Sequence, residues 1–154
     1  MLIPAWQRLL GLLIYMLPWS DGIPFGRHLF VEFPFLQIFA LPALPLLIFE
    51  QTIPFGGFLI FLILFLAVIR NQSVPYFLRF NALQALLIDI VIIVLSYAFQ
   101  IILQPFNTSL LVRSLSSTVW VSTLAIVIFA FIECIRGKEP DLPGISQAVK
   151  MQLF

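Results

Sequence analysis

Asp89 is the residue of this chain best placed to do chemistry, because it is a carboxylate well inside an apolar run from about residue 77 to 103. A charge near mid-bilayer costs about 2.5–3.5 kcal/mol on insertion scales, so Asp89 is expected either to have a functional role or to bond a neighbour and hold the bundle together. On a 3.6-residue period Ala85, Asp89, Ser96 and Gln100 fall in one narrow stripe, with Gln104 close by. Asn81 lies off that stripe and Gln84 further round. In a last apolar run, about 114–135, Thr118, Ser122, Ala125 and Glu133 share a face. Small and hydroxylated residues let membrane helices approach and hydrogen-bond, so the two faces are expected to meet as a hairpin or to line a cavity together. Glu133 stands one turn from Arg136, where a solvated pair is ordinary.

Other chemistry finds few residues. One histidine, His28, and one cysteine, Cys134, supply no nucleophile–base pair and no metal cluster. Gly56-Gly57 is a hinge, too short to cradle a phosphate. No catalytic residue, cofactor or metal is expected. A net charge of +1 gives no basic field for nucleic acid.

The elements that must hold Asp89 are membrane helices. Of 154 residues, 62% are hydrophobic and 10% charged, far from the roughly 25% charged residues of a soluble domain. The apolar runs are continuous, not alternating, so the class is an all-α integral membrane protein, a single membrane domain over 1–154. Four spans are expected, at about 3–19, 56–70, 77–103 and 114–135. Residues 20–50 read as interfacial or re-entrant: Asp21-Gly22 with Pro24 is a turn, and Pro34, Pro42 and Pro45 interrupt the next apolar stretch. The loop 104–109 breaks the chain before the last span. Residues 136–154 form a short soluble tail, with Leu142, Ile145 and Val149 suited to one short amphipathic turn after Pro143. Trp6, Trp19 and Trp120 fit interfacial positions, and Arg79 is expected to snorkel to headgroups.

Arg70, Arg79, Arg136, Lys138 and Lys150 fall on one side of this topology, against Arg113 in the opposite loop. The positive side is the cytoplasm, or the stroma of a plastid, and both termini are expected there. No cleavable signal or transit-type extension is evident at the start.

Three blocks carry a family resemblance: Pro54-Phe55-Gly56-Gly57 leading to Val68-Ile69-Arg70-Asn71; Val74 to Ala85, with Arg79, Phe80, Asn81 and Gln84 as its signature, followed by Asp89; and the tail from Pro140 to Gln152. A looser block runs from Leu17-Pro18 through Asp21-Gly22 to Arg27. Over nearly the whole chain the sequence resembles the twenty-kilodalton Tic family, the inner-envelope subunit of the chloroplast protein-import translocon, and its cyanobacterial relatives. The resemblance implies four membrane helices, both termini on the stromal or cytoplasmic side, and a part in protein translocation. It implies as partners the other membrane subunits of the translocon, precursor proteins in transit and the lipid bilayer. The implied site is the plastid inner envelope, or the plasma or thylakoid membrane if the chain is cyanobacterial. The residues by themselves leave two other readings: a small-solute or ion channel or carrier lined by Asp89 and Gln100, and a membrane assembly scaffold without a path.

Overall fold

The computed structural model describes residues 2–106 and 109–153. Asn107 and Thr108 of the expected chain break, and Phe154 at the end of the tail, lie outside the described residues. The described residues are almost all helical, with no strand among them. We label the helices α1 (Ala5–Glu32), α2 (Pro34–Thr52), α3 (Gly56–Ile69), α4 (Tyr76–Ile102), α5 (Leu110–Ile135) and α6 (Ile145–Leu153). Of these α1, α2, α4 and α5 are long and apolar enough to cross a membrane, and α3 is shorter.

Helix α1 extends well past residue 19, the end expected for it. It is a chain of short helical pieces: α-helix over Ala5–Ile14 and Met16–Gly22, a 3-10 turn over Ile23–Gly26, and α-helix again over Arg27–Glu32. Pro18 falls in the first turn of the piece that restarts at Met16. A proline there loses only an amide that has no helical acceptor, so the helix continues through it. The polar run 20–33 is helical up to Glu32 and is not left as a free turn. It packs along α5, with the Ser116 hydroxyl donating to the Phe25 carbonyl at 2.7 Å and Arg113 paired with Glu32. At the other end Arg8 donates to the Ile135 carbonyl at 3.1 Å. Helices α1 and α5 therefore run antiparallel over nearly their full lengths.

The close approach of α1 to α5 depends on missing side chains. A Cβ on Gly22 would lie 2.9 Å from Thr123 Cγ2, and one on Gly26 would lie 2.7 Å from Trp120 Cδ1. Trp19 and Trp120, expected at an interface, are core residues, 3% and 1% exposed, with ring centroids 5.9 Å apart. Trp6 remains exposed.

Because α1 packs on both α4 and α5, it keeps those two helices apart, and they share no extensive direct contact. The expected α4–α5 hairpin face does not form. The buried face of α5 is Val112, Ser116, Trp120, Thr123, Val127, Ala130 and Cys134, whereas Thr118, Ser122 and Ala125 are exposed. Thr118 bonds instead to its own helix at the Ser114 carbonyl, 2.7 Å away, so its hydroxyl needs no partner helix. Thr118 and Ser122 do border a cavity of about 240 Å³ with Ile88 and Ile92, but Asp89, Ser96 and Gln100 are not part of its lining.

Helix α2 bends within the bundle. Its Phe39 carbonyl accepts from Trp19 Nε1 at 2.9 Å, and Pro42 and Pro45 border a large apolar cavity together with Leu10 and Leu13. Gln51 nonetheless lines a different cavity with Tyr97 and Gln100, toward the Arg113 end. The chain thus turns back near the two prolines, where backbone donors are missing. It then passes Phe55, whose φ of 59° is left-handed, into α3. Helix α3 ends in a widened π turn, Leu64–Ile69, and Arg79 Nε donates to the Ile69 carbonyl at 3.0 Å. Arg79 therefore caps its neighbour at the end of the bundle where α4 begins.

The tail is folded onto its own chain. Helix α6 packs against α4, with Leu142, Ser146 and Val149 buried. Its apolar side had a partner available in the same molecule, which burial favours over exposure to water.

Candidate functional site

Two buried polar clusters are built on α4. The first lies three turns or less from its start. Asn81 and Gln84, one helical turn apart and both 0% exposed, point toward α1 and the tail. The Tyr15 hydroxyl donates to Asn81 Oδ1 at 3.0 Å, and Asn81 Nδ2 donates to the Phe77 carbonyl at 2.7 Å. Gln84 Nε2 donates to the Tyr15 hydroxyl at 3.2 Å and to the Pro140 carbonyl at 3.0 Å. Ser146 completes the set: its hydroxyl donates to Gln84 Oε1 at 2.8 Å and accepts the Leu142 amide at 2.7 Å. Cys134 Sγ lies 3.3 Å from Asn81 Oδ1 and brings in α5. Every member has a partner, which is the condition under which buried polar groups hold helices together. Phe80, 0% exposed, packs one turn before Gln84 in an apolar cluster with Leu17, Ile69 and Val149.

The second cluster lies farther along α4. Asp89 is 2% exposed and lies next to Asp21 of α1. Glu50 of α2 stands close to both acids, and its Oε2 accepts from the Ser20 hydroxyl at 3.2 Å. Beside them is a cavity of about 480 Å³ that includes Ser96 and Gln100 in its lining. Of the expected stripe, Asp89 is buried with the acids, Ser96 is half-buried on the cavity, and Gln100 is exposed at its mouth. Glu133 stands apart, accepting from Arg136 Nη1 at 2.8 Å.

Tyr15, Ser146 and Cys134 in the first cluster, and Asp21 and Glu50 in the second, escaped the reading of α4 alone. Each comes from another element, and helical periodicity orders residues only within one helix.

Residues 4–149 match the family described as "Chloroplast import apparatus Tic20-like". A cyanobacterial relative, the Tic20 family protein of Synechocystis, is 37% identical over 96% of this chain and 92% of its own length. The chain belongs to the Tic20 family. It is also similar to Protein TIC 20-v, chloroplastic, of Arabidopsis thaliana, 32% identical over 99% of this chain and 73% of that one. The Tic20 family protein Ycf60 of Gracilaria tenuistipitata is 34% identical over 96% of this chain and 75% of its own. In this Tic20-family fold two of the blocks that carry the sequence resemblance meet in space. The Arg79–Ala85 block supplies Asn81 and Gln84, and the tail block supplies Pro140, Leu142 and Ser146.

Proposed function

We propose that this chain is a membrane subunit of a protein-import translocon, and that with partner subunits it forms or scaffolds part of a path for precursor proteins. The match to the import-apparatus family over residues 4–149 carries this reading. The relatives described as chloroplastic and the cyanobacterial relative support a plastid inner envelope, or the plasma or thylakoid membrane of a cyanobacterium, as its site. Supporting both termini on one face, Arg8 is bonded to the last carbonyl of α5. The lysine and arginine bias favours the stroma or cytoplasm for that face.

The centre of the bundle is filled by Tyr15, Trp19, Phe80 and Trp120, each at most 3% exposed. A polypeptide path therefore runs outside this single bundle, against a surface shared with partner chains or further copies. The bent helix α2 is the natural partner surface: only 6% of its most apolar window is buried, and Phe35, Ile38 and Leu41 are exposed. Gentle detergent extraction followed by identification of co-purifying proteins tests the reading. Stoichiometric recovery of other membrane subunits, and of a precursor arrested in transit, is expected. Ion flux through the purified chain alone, with neither subunits nor precursor recovered, would favour a small-ion channel instead.

A further inference from the structure

Three acids from three helices meet without a cation. Asp21, Glu50 and Asp89 converge from α1, α2 and α4, with Asp21 and Glu50 lining one cavity and the Ser20 hydroxyl donating to Glu50. Asp89 Oδ1 and Glu50 Oε1 are buried and have no hydrogen-bond partner among the described residues, although Asp89 is 98% enclosed (2% exposed). Buried polar oxygens left unpaired are costly, so this pocket is shaped for something that binds carboxylate oxygens.

The charges on every packed element narrow the ligand. Between Arg113 and Glu133 helix α5 has no titratable residue, α3 has none, and α6, packed on α4, carries only the exposed Lys150. On α4 the nearest are Arg79, which is bonded to Ile69, and Tyr97 on the cavity wall. On α1 they are Arg8 and Tyr15 at the far end, and Arg27, His28 and Glu32 toward the other. Arg27 and His28 line a second cavity of about 480 Å³. That cavity and the one beside the acids share Pro24, Ser96 and Gln100. A polar route thus runs from the Arg27 end to Asp21 and Glu50, beside the buried Asp89.

We propose that Asp21, Glu50 and Asp89 form a proton-binding site inside the bundle, loaded and emptied from the Arg27 end along Ser96 and Gln100. A proton from water adds to a carboxylate oxygen and leaves by the same route, with no change of oxidation state. With the proton bound, α1, α2 and α4 are joined through their acids. Without it, three anions face one another, and the bent helix α2, the least buried of the three, is the element that moves.

The test uses the purified full chain in lipid nanodiscs and the apolar reagent dicyclohexylcarbodiimide. The carboxyl proton moves to a carbodiimide nitrogen, the carboxylate oxygen attacks the central carbon, and rearrangement leaves a stable acylurea that mass spectrometry locates. An adduct on Asp89 or Asp21 that declines as pH rises and is indifferent to sodium supports the site. Asp89→Asn should lose the Asp89 adduct, and Glu50→Gln should retain reaction at the remaining pair. No adduct on any of the three acids from acid to neutral pH overturns the proposal. Suppression by sodium at constant pH also overturns it, in favour of an alkali-cation site. If Asp89→Asn does not fold, infrared titration of the unaltered chain decides: a carboxyl C=O band that titrates and shifts in D₂O supports the site, and its absence overturns it.

Discussion

Gln84 and Ser146, 62 positions apart in sequence, meet at 2.8 Å in the core, where Ser146 donates to Gln84 Oε1. This bond ties the end of the chain to the helix around which the bundle is arranged. It also explains why a tail that looks detachable is buried.

Ser146→Ala removes that donor and the acceptor of the Leu142 amide together. Buried groups left unpaired cost about 1–3 kcal/mol. Lower thermal stability in a fixed detergent is expected, with faster tryptic cleavage at Lys138 and Lys150 as α6 detaches. Unchanged cleavage would mean that α6 is held by its apolar contacts alone. Glu133→Gln, which breaks only a partly solvated pair with Arg136, should shift stability by less than about 1 kcal/mol.

Glycines along α1 should differ sharply in their tolerance of a methyl group. At Gly26 a Cβ would come within 2.8 Å of both the Phe30 ring and Trp120 Nε1, whereas at Gly11 its nearest neighbours, Cys134 Sγ and the Phe77 ring, lie at 3.4 Å. Gly26→Ala is expected to destabilise by about 1–3 kcal/mol, the usual range for overpacking a close helix contact. Gly11→Ala should be nearly neutral. Thermal unfolding of the two variants side by side checks the order.

Phe55 holds a left-handed φ of 59° between α2 and α3 while 82% exposed. A bulky residue there costs roughly 1–2 kcal/mol relative to glycine's freedom. Phe55→Gly should therefore raise thermal stability by up to about 1 kcal/mol after the extra flexibility of glycine in the unfolded chain is offset. A loss of stability would show that the exposed ring has a packing role.

That α4 and α5 are helices of membrane-crossing length was legible because each is one long apolar run ended by a loop. Asp89 was legible as an acid that needs company, since its cost in an apolar setting is independent of its neighbours. Its company was not. Asp21 lies in a stretch that reads as a turn and Glu50 at the end of one interrupted by prolines, and the packing of α1 on α5 buries Gly22, Phe25 and Gly26. Thr118 was misread for a related reason: a hydroxyl that bonds its own helix looks the same in sequence as one that binds a partner. The fold of the tail was half visible, in the spacing of Leu142, Ile145 and Val149, but its docking on Gln84 is a long-range contact that no local pattern encodes.

The most direct test of a translocon role is photo-crosslinking from Ile38 on the exposed face of α2, in the native membrane, with a precursor arrested in transit. The account predicts adducts to other membrane subunits at Ile38, and recovery of the precursor in the same complex. A control crosslinker at Phe80, buried in the core, should give none. A chain that yields only lipid adducts at Ile38, and migrates as a lone monomer free of precursor, would contradict it.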